Sequence, residues 1–118
     1  MRRMLTLILL GTLLLAGCVT LTPQTAQQQL RDPVAPDVAY NKATRVATKS
    51  SGQMTSQDPM KRVMSVRVDK AVVLGVILTP EGTGTLVDVR GTAEAGYILT
   101  KDIGQYVQEF LTAYRQEK

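Results

Sequence analysis

The stretch from residue 63 to residue 92 constrains the fold of this chain more than any other, because it reads as consecutive strands of one antiparallel sheet. In residues 63–69, Met64, Val66 and Val68 alternate with Ser65, Arg67 and Asp69, the period-two pattern of a strand with one dry and one wet face. Asp69-Lys70 turns the chain. Residues 72–79 are apolar on both faces, as a central strand would be, and Pro80-Glu81-Gly82-Thr83-Gly84 is a hairpin connection into residues 85–92. There Val87 and Val89 point inward. Leu86 shares the outward parity with Asp88, Arg90 and Thr92, which marks a partly covered place on that face, and Asp88 is expected to be solvated.

A sheet with one apolar face needs a second layer. Ile103, Tyr106, Val107, Phe110, Leu111 and Tyr114 recur at i, i+3, i+4, i+7, i+8 and i+11, a broad helical stripe suited to lie across the sheet. Thr100 is placed to cap that helix, with Asp102 in its positive first turn and Arg115 and Lys118 at its negative end. An earlier helix is expected to start with Asp37 as its N-cap. It buries a small-residue face of Ala39, Ala43, Val46, Ala47 and Ser50, keeps Lys42, Arg45 and Lys49 on the wetter side, and ends at Ser50-Ser51-Gly52. Residues 53–56 form a further short segment before a turn at Gln57-Asp58-Pro59. The order predicts an α+β fold over residues 37–118: a two-layer domain with an N-terminal helix, an antiparallel β-meander of three or four strands and a C-terminal helix packed on the sheet.

Upstream of this domain the composition changes. Arg2 and Arg3 precede an apolar run from Met4 to Leu15 broken only by Thr6, Gly11 and Thr12, the pattern of a secretory signal. About 12 apolar residues are too few for a membrane span, which needs about 20. The run ends in Leu15-Ala16-Gly17-Cys18, and Cys18 is the only cysteine. These four residues resemble the lipobox of bacterial lipoproteins at every position. The resemblance implies that Leu15, Ala16 and Gly17 are read by a lipoprotein signal peptidase and that residues 1–17 are removed. It also implies that Cys18 carries a diacylglycerol on sulfur, often with a further acyl chain on its new amine. An ordinary secretory cleavage that leaves a free thiol is the competing interpretation. Two or more buried chains hold a protein to a bilayer stably, whereas one holds it marginally.

Residues 18–36 then read as the lipidated cysteine and a flexible tether, since they hold Thr22-Pro23, Gln27-Gln28-Gln29 and Pro33-Val34-Ala35-Pro36 with few large apolar side chains. Residues 27–30 serve either as spacer or as a segment that folds on a partner. By resemblance, Val19 after the anchor favours an outer-membrane site facing the periplasm where the organism has an outer membrane. Otherwise the outer face of the plasma membrane is expected.

Charge and chemistry narrow the function. The full chain carries a formal +4, but loss of Arg2 and Arg3 leaves 12 basic against 10 acidic residues, a net of +2, and no basic run is interleaved with aromatics. Nucleic acid is not an expected partner. The chain contains no histidine, and with Cys18 committed to lipid no thiolate remains. Ser-His and Cys-His nucleophile pairs, imidazole metal sites and zinc fingers are therefore excluded, and neither a metal, a cofactor nor a catalytic residue is expected. Glu81-Gly82-Thr83-Gly84-Thr85 lacks the lysine of a phosphate loop and joins two strands, so it is a hairpin.

The order of one helix, Gln53-Met54-Thr55-Ser56-Gln57-Asp58, a meander with a Gly/Thr-rich hairpin and a closing helix is similar to the small α/β repeats of BamC-like periplasmic lipoproteins. That resemblance implies a non-catalytic interaction or assembly role in an envelope protein complex. Arg67 and Arg90, on outward strand positions with Lys61, Arg62 and Lys70 nearby in sequence, are the candidate partner-binding residues. The bland alternative pairs these charges with Asp69 and Asp88 on a solvated face. The alternative function is binding or hydrolysis of an anionic envelope polymer such as peptidoglycan or a glycolipid. Intact-mass measurement checks the anchor: the mature chain should begin at Cys18 and carry acyl mass, and Cys18→Ser should leave it unprocessed or unanchored.

Overall fold

The computed structural model describes residues 24–50, 52–94, 96, 99 and 101–118. Leu15, Ala16, Gly17, Cys18 and Thr100 lie outside the described residues. The elements in chain order are β1 (Gln24–Asp32), α1 (Pro36–Lys49), β2 (Gln53–Asp58), β3 (Val63–Asp69), β4 (Val72–Glu81), β5 (Gly84–Ala93) and α2 (Ile103–Gln116). All five strands form one antiparallel sheet in the order β1-β5-β4-β3-β2, and both helices pack on one of its faces. The fold is the α+β architecture expected, with N-terminal and C-terminal helices layered on an antiparallel sheet.

Two expectations need correction. The sheet has five strands rather than three or four, because residues 53–58 do pair with β3 and because β1 is added at the far side. More consequentially, residues 24–32 are not a free tether. They form an edge strand in unbroken register with β5, from Gln24 opposite Ala93 to Asp32 opposite Thr85. Main-chain bonds to β5 supply the ordering free energy that this glutamine-rich segment lacks in apolar side chains. The folded unit thus includes residues 24–32, ahead of the boundary at residue 37.

The strand parity follows the sequence. Met64 and Val66 of β3, Val72, Leu74, Val76 and Leu78 of β4, and Val87, Val89 and Ala93 of β5 are buried against the helices. From α2 the whole expected stripe is buried, namely Ile103, Tyr106, Val107, Phe110, Leu111 and Tyr114. From α1, Ala39, Ala43, Val46 and Ala47 are buried as expected and Tyr40 joins them. Helix α1 starts two residues earlier than its sequence suggests: Ala35 is its N-cap, Pro36, with its φ already helical, opens the first turn, and Asp37 lies inside that turn rather than capping it. Asp102 occupies the N-cap position of α2 rather than its first turn. Gly91 sets how closely α2 approaches. A β-carbon there would stand 2.9 Å from Cγ2 of Val107, 3.0 Å from Cγ1 of Ile103 and 3.3 Å from Cδ2 of Leu74.

One buried polar cluster joins the layers. Asp32, the last residue of β1, accepts hydrogen bonds on Oδ2 from the Tyr114 hydroxyl of α2 at 2.6 Å and from Lys42 Nζ of α1 at 2.9 Å. The Lys42 ammonium also sits 4.4 Å from the centroid of the Tyr114 ring. Burial alone would raise the Asp32 carboxyl, but the hydrogen bonds from Tyr114 and Lys42 and the lysine charge outweigh it and hold Asp32 below the usual carboxylate range. Burial and then the same carboxylate push the Tyr114 hydroxyl far above its ordinary value, so it remains a donor at every accessible pH.

Two stability predictions follow from this packing. Because the folded Asp32 titrates below its unfolded value, its contribution is fully present above about pH 4 and is lost as pH falls through the folded value. Asp32→Asn, which strands the Lys42 charge, should cost about 2–3 kcal/mol at pH 7 and progressively less below about pH 4, read by denaturant unfolding at the two pH values. Gly91→Ala should lower stability by about 1–3 kcal/mol in the same assay, since α2 must be displaced to admit the methyl group.

Candidate functional site

The face of the sheet opposite the helices carries no second layer among the described residues. Its composition is fixed by strand parity and register. One cross-sheet row runs Thr25, Thr92, Val73, Arg67, Gln53, and the next runs Gln27, Arg90, Gly75, Ser65, Ser56. A third runs Gln29, Asp88, Ile77, Val63, Asp58, and Arg31, Leu86 and Thr79 begin a fourth. Val63, Val73, Ile77 and Leu86 are half-buried, so the face is a shallow apolar strip framed by amides, hydroxyls and charges.

Arg67 and Arg90 both lie on this face, as the outward parity of their strands requires. They stand on strands that flank β4, one cross-sheet row apart, which places their backbones about 12 Å from one another. Arg90 is held by Asp88: its Nη2 donates at 3.0 Å and its Nε at 3.2 Å to Oδ2. From the neighbouring edge strand, Gln27 Nε2 donates to Oδ1 and Oδ2 of the same carboxylate at 3.0 and 3.2 Å. Asp88 is therefore buried under its partners, at 6% exposure, rather than solvated as its alternation with valines suggested. Arg67 is exposed, and no carboxylate lies within ion-pair distance of it among the described residues.

The remaining basic residues do not join them. Lys61 and Arg62 precede β3 and Lys70 follows it, so they lie at opposite ends of a strand about 20 Å long. Arg62 Nε donates to Asp37 Oδ1 at 2.9 Å, across to the start of α1. Asp69 does not balance Arg67 either. It accepts from the Tyr106 hydroxyl of α2 and from the Lys70 backbone N–H, and these bonds, Tyr106 first, hold it below the usual carboxylate range. Half of the bland alternative is thus realised: Asp88 neutralises Arg90, while Asp69 turns to the helix side.

The more enclosed concavity on the helix side lies between α2 and the ends of α1 and β3. It is lined by Val68, Leu74, Tyr106, Phe110, Ala113, Ser50 and Gly52, and Lys101 and Glu109 stand at its rim. Lys101 Nζ donates to Oε1 and Oε2 of Glu109 at 2.9 and 3.1 Å, and this partner first of all raises the Lys101 ammonium above its ordinary value. The volume is about 190 Å³. Small-molecule sites usually need about 300–1,000 Å³ of concave, mostly apolar space; a second depression of about 470 Å³ reaches that size but is a shallow one on the solvent side of α2, among the exposed Gln105, Gln108, Thr112 and Gln116, so the broad sheet face is the better candidate site. Sequence reasoning missed Gln27, whose amide completes the Asp88 cluster. The signal was the parity of Gln27 and Gln29 against Ala26 and Leu30.

No family model matches the chain, and no curated protein matches it. Among solved structures, the crystal structure of Ara h 8.0201 is similar in fold, with a TM-score of 0.58 at 10% sequence identity over 80% of this chain and 97% of that chain. At that identity the likeness concerns architecture alone. Among the described residues no helix is long and apolar enough to cross a membrane.

Proposed function

We propose that this chain is a lipid-anchored bacterial envelope protein whose α+β domain is a non-catalytic binding module for a protein partner, engaged through the helix-free sheet face. The observation that carries this reading is the pairing on that face of a half-buried apolar strip, Val63, Val73, Ile77 and Leu86, with Arg67 and Arg90. A flat surface of this kind suits an extended protein contact, in which arginine and apolar neighbours carry most of the binding energy. The Asp88 and Gln27 contacts fix the Arg90 guanidinium in place, which lowers the entropy lost on binding.

The lipobox of residues 15–18 supports the anchor, and the absence of histidine supports a role without nucleophilic or imidazole-metal chemistry. The similarity of element order to BamC-like lipoproteins agrees with an assembly role. An envelope polymer is the weaker alternative, because Arg90 is neutralised by Asp88 and the three other candidate lysines and arginines are scattered.

The edge strand alters how the domain is held. Six residue steps separate Cys18 from Gln24, which span at most about 20 Å when fully extended. The domain would then work close against its own membrane. Arg67→Ala alone should move stability by no more than about 0.5 kcal/mol, whereas the double change Arg67→Ala with Arg90→Ala should leave export and lipidation unchanged but cost about 1–3 kcal/mol, because it removes the ion-pair partner of the buried Asp88. It should reduce co-purification of the envelope partner from solubilised membranes by roughly tenfold or more. Undiminished recovery of the partner would remove these arginines from the interface.

A further inference from the structure

The two edges of the sheet differ. Strand β2 is six residues long, its register with β3 shifts between Met54 and Ser56, and Pro59 follows it directly. These are the usual devices that blunt an edge. Strand β1 shares only the proline at its end, Pro33: it runs nine residues, contains no proline or lysine within it, and pairs with β5 without a shift.

The ladder identifies which main-chain groups β1 leaves open. The Glu94 N–H donates to the Ala71 carbonyl at 3.1 Å, in the register that sets Val72 opposite Ala93. Even-numbered residues of β5 therefore bond to β4, and its odd-numbered residues bond to β1. Through the pairing of Gln24 with Ala93, those odd residues meet the even residues of β1. Thr25, Gln27, Gln29 and Arg31 thus direct their N–H and C=O groups away from the sheet.

We propose that this edge is a homodimer interface, in which two copies pair their β1 strands antiparallel about a two-fold axis at Gln28. In that register Gln27 of one copy faces Gln29 of the other, and Thr25 faces Arg31. Each such pair exchanges two bonds, so all four open N–H groups of each copy find acceptors. Sliding the register by one repeat leaves a residue at each end unpaired. The side chains agree with the same register. Ala26 faces Leu30, both only partly buried within one chain. Gln28 faces its own copy, and an amide both donates and accepts. The two Arg31 residues lie at opposite ends of the pair, so no like charges are opposed. The assembly closes at two copies because the outer edges of the resulting sheet are the blunted β2 strands.

Oxidative cross-linking of the full chain in membranes tests the register. Gln28→Cys should give a covalent homodimer, because directly opposed residues have β-carbons about 5 Å apart. Thr25→Cys should not, since its own copy lies about 20 Å away. The wild type, which retains Cys18, is the control for that thiol. In parallel, sedimentation of the detergent-solubilised full chain should show twice the monomer mass. Gln29→Pro removes one edge N–H per copy that β5 does not use and should weaken association about thirtyfold. Gln28→Lys sets two ammonium groups face to face and should weaken it roughly fivefold. Circular dichroism should show the fold retained, and if Gln29→Pro does not fold, Gln28→Lys on an exposed side chain carries the test. The proposal is overturned by a monomer without a Gln28 cross-link, or by a dimer indifferent to both substitutions. Capture of a different protein by Gln28→Cys would equally overturn it, since a foreign strand would then hold the edge.

Discussion

Everything in this fold is referred to one carboxylate. Asp32 ends the first strand, and its Oδ2 takes both the Tyr114 hydroxyl from α2 and the Lys42 ammonium from α1. The consecutive elements β1 and α1 and the distant α2 therefore meet at a single atom. A buried ion pair of this kind contributes little net stability against an apolar replacement, because desolvation offsets the attraction. Its effect is on specificity. The carboxylate can be satisfied only when β1 occupies its place beside β5 and both helices stand in the observed order over it. The stacking of Lys42 on the Tyr114 ring adds a second reason for that lysine to stay inside rather than reach for water.

With the helix side closed in this way, the opposite face and the edges are what remain for recognition. The core side holds the large side chains of β3, β4 and β5 beneath α1 and α2, and its enclosed concavity is small. The other side keeps four half-buried apolar residues in the open and organises its charges around Asp88. Asp88 plays on the outer face the role that Asp32 plays on the inner one. Each carboxylate ties β1 to its neighbours, Asp88 through Gln27 and Asp32 through its own position in the strand. The outer cluster leaves Arg67 without an ion pair among the described residues, so the charges of the face are balanced on the β5 side and not on the β3 side.

Much of this was legible before the structure. The stripe of α2 is buried at every predicted position, the period-two pattern of β3 to β5 gave the right inward and outward faces, and Gly82 takes a positive φ in the hairpin expected there. What escaped was β1. Its alternation is carried by Ala26 and Leu30 alone among glutamines, and its partner β5 lies some sixty positions away, so no local signal announces the pairing. An edge strand needs little apolar surface when the main chain supplies the bonds. Missing β1 meant missing the Asp32 cluster, because Tyr114 then counted only as an apolar member of a stripe and Lys42 only as a solvated charge. The burial of Asp88 was missed for the same reason: its cover, Gln27, belongs to the strand that composition had assigned to a tether.

On the proposed lipidation of Cys18 and the proposed pairing of β1, the short path between them joins the anchor, the edge and the face into one arrangement. With Cys18 lipidated, the start of β1 is held within about 20 Å of the bilayer, which is too short a lead for the domain to tumble freely above it. In the two-fold pair the β1 strands run in opposite directions, so the two anchors leave from opposite ends of a nine-residue strand pair, about 30 Å apart. Anchors so placed hold a sheet parallel to the membrane rather than upright. They also double the number of buried acyl chains per assembly, and since each CH₂ contributes about 0.8 kcal/mol, membrane release becomes negligible. A sheet lying flat presents one whole face outward, with Arg67 and Arg90 repeated across the two-fold axis. The dimer edge would thereby turn two small patches into one bivalent platform, on which a weak contact at each patch suffices for firm retention of a partner.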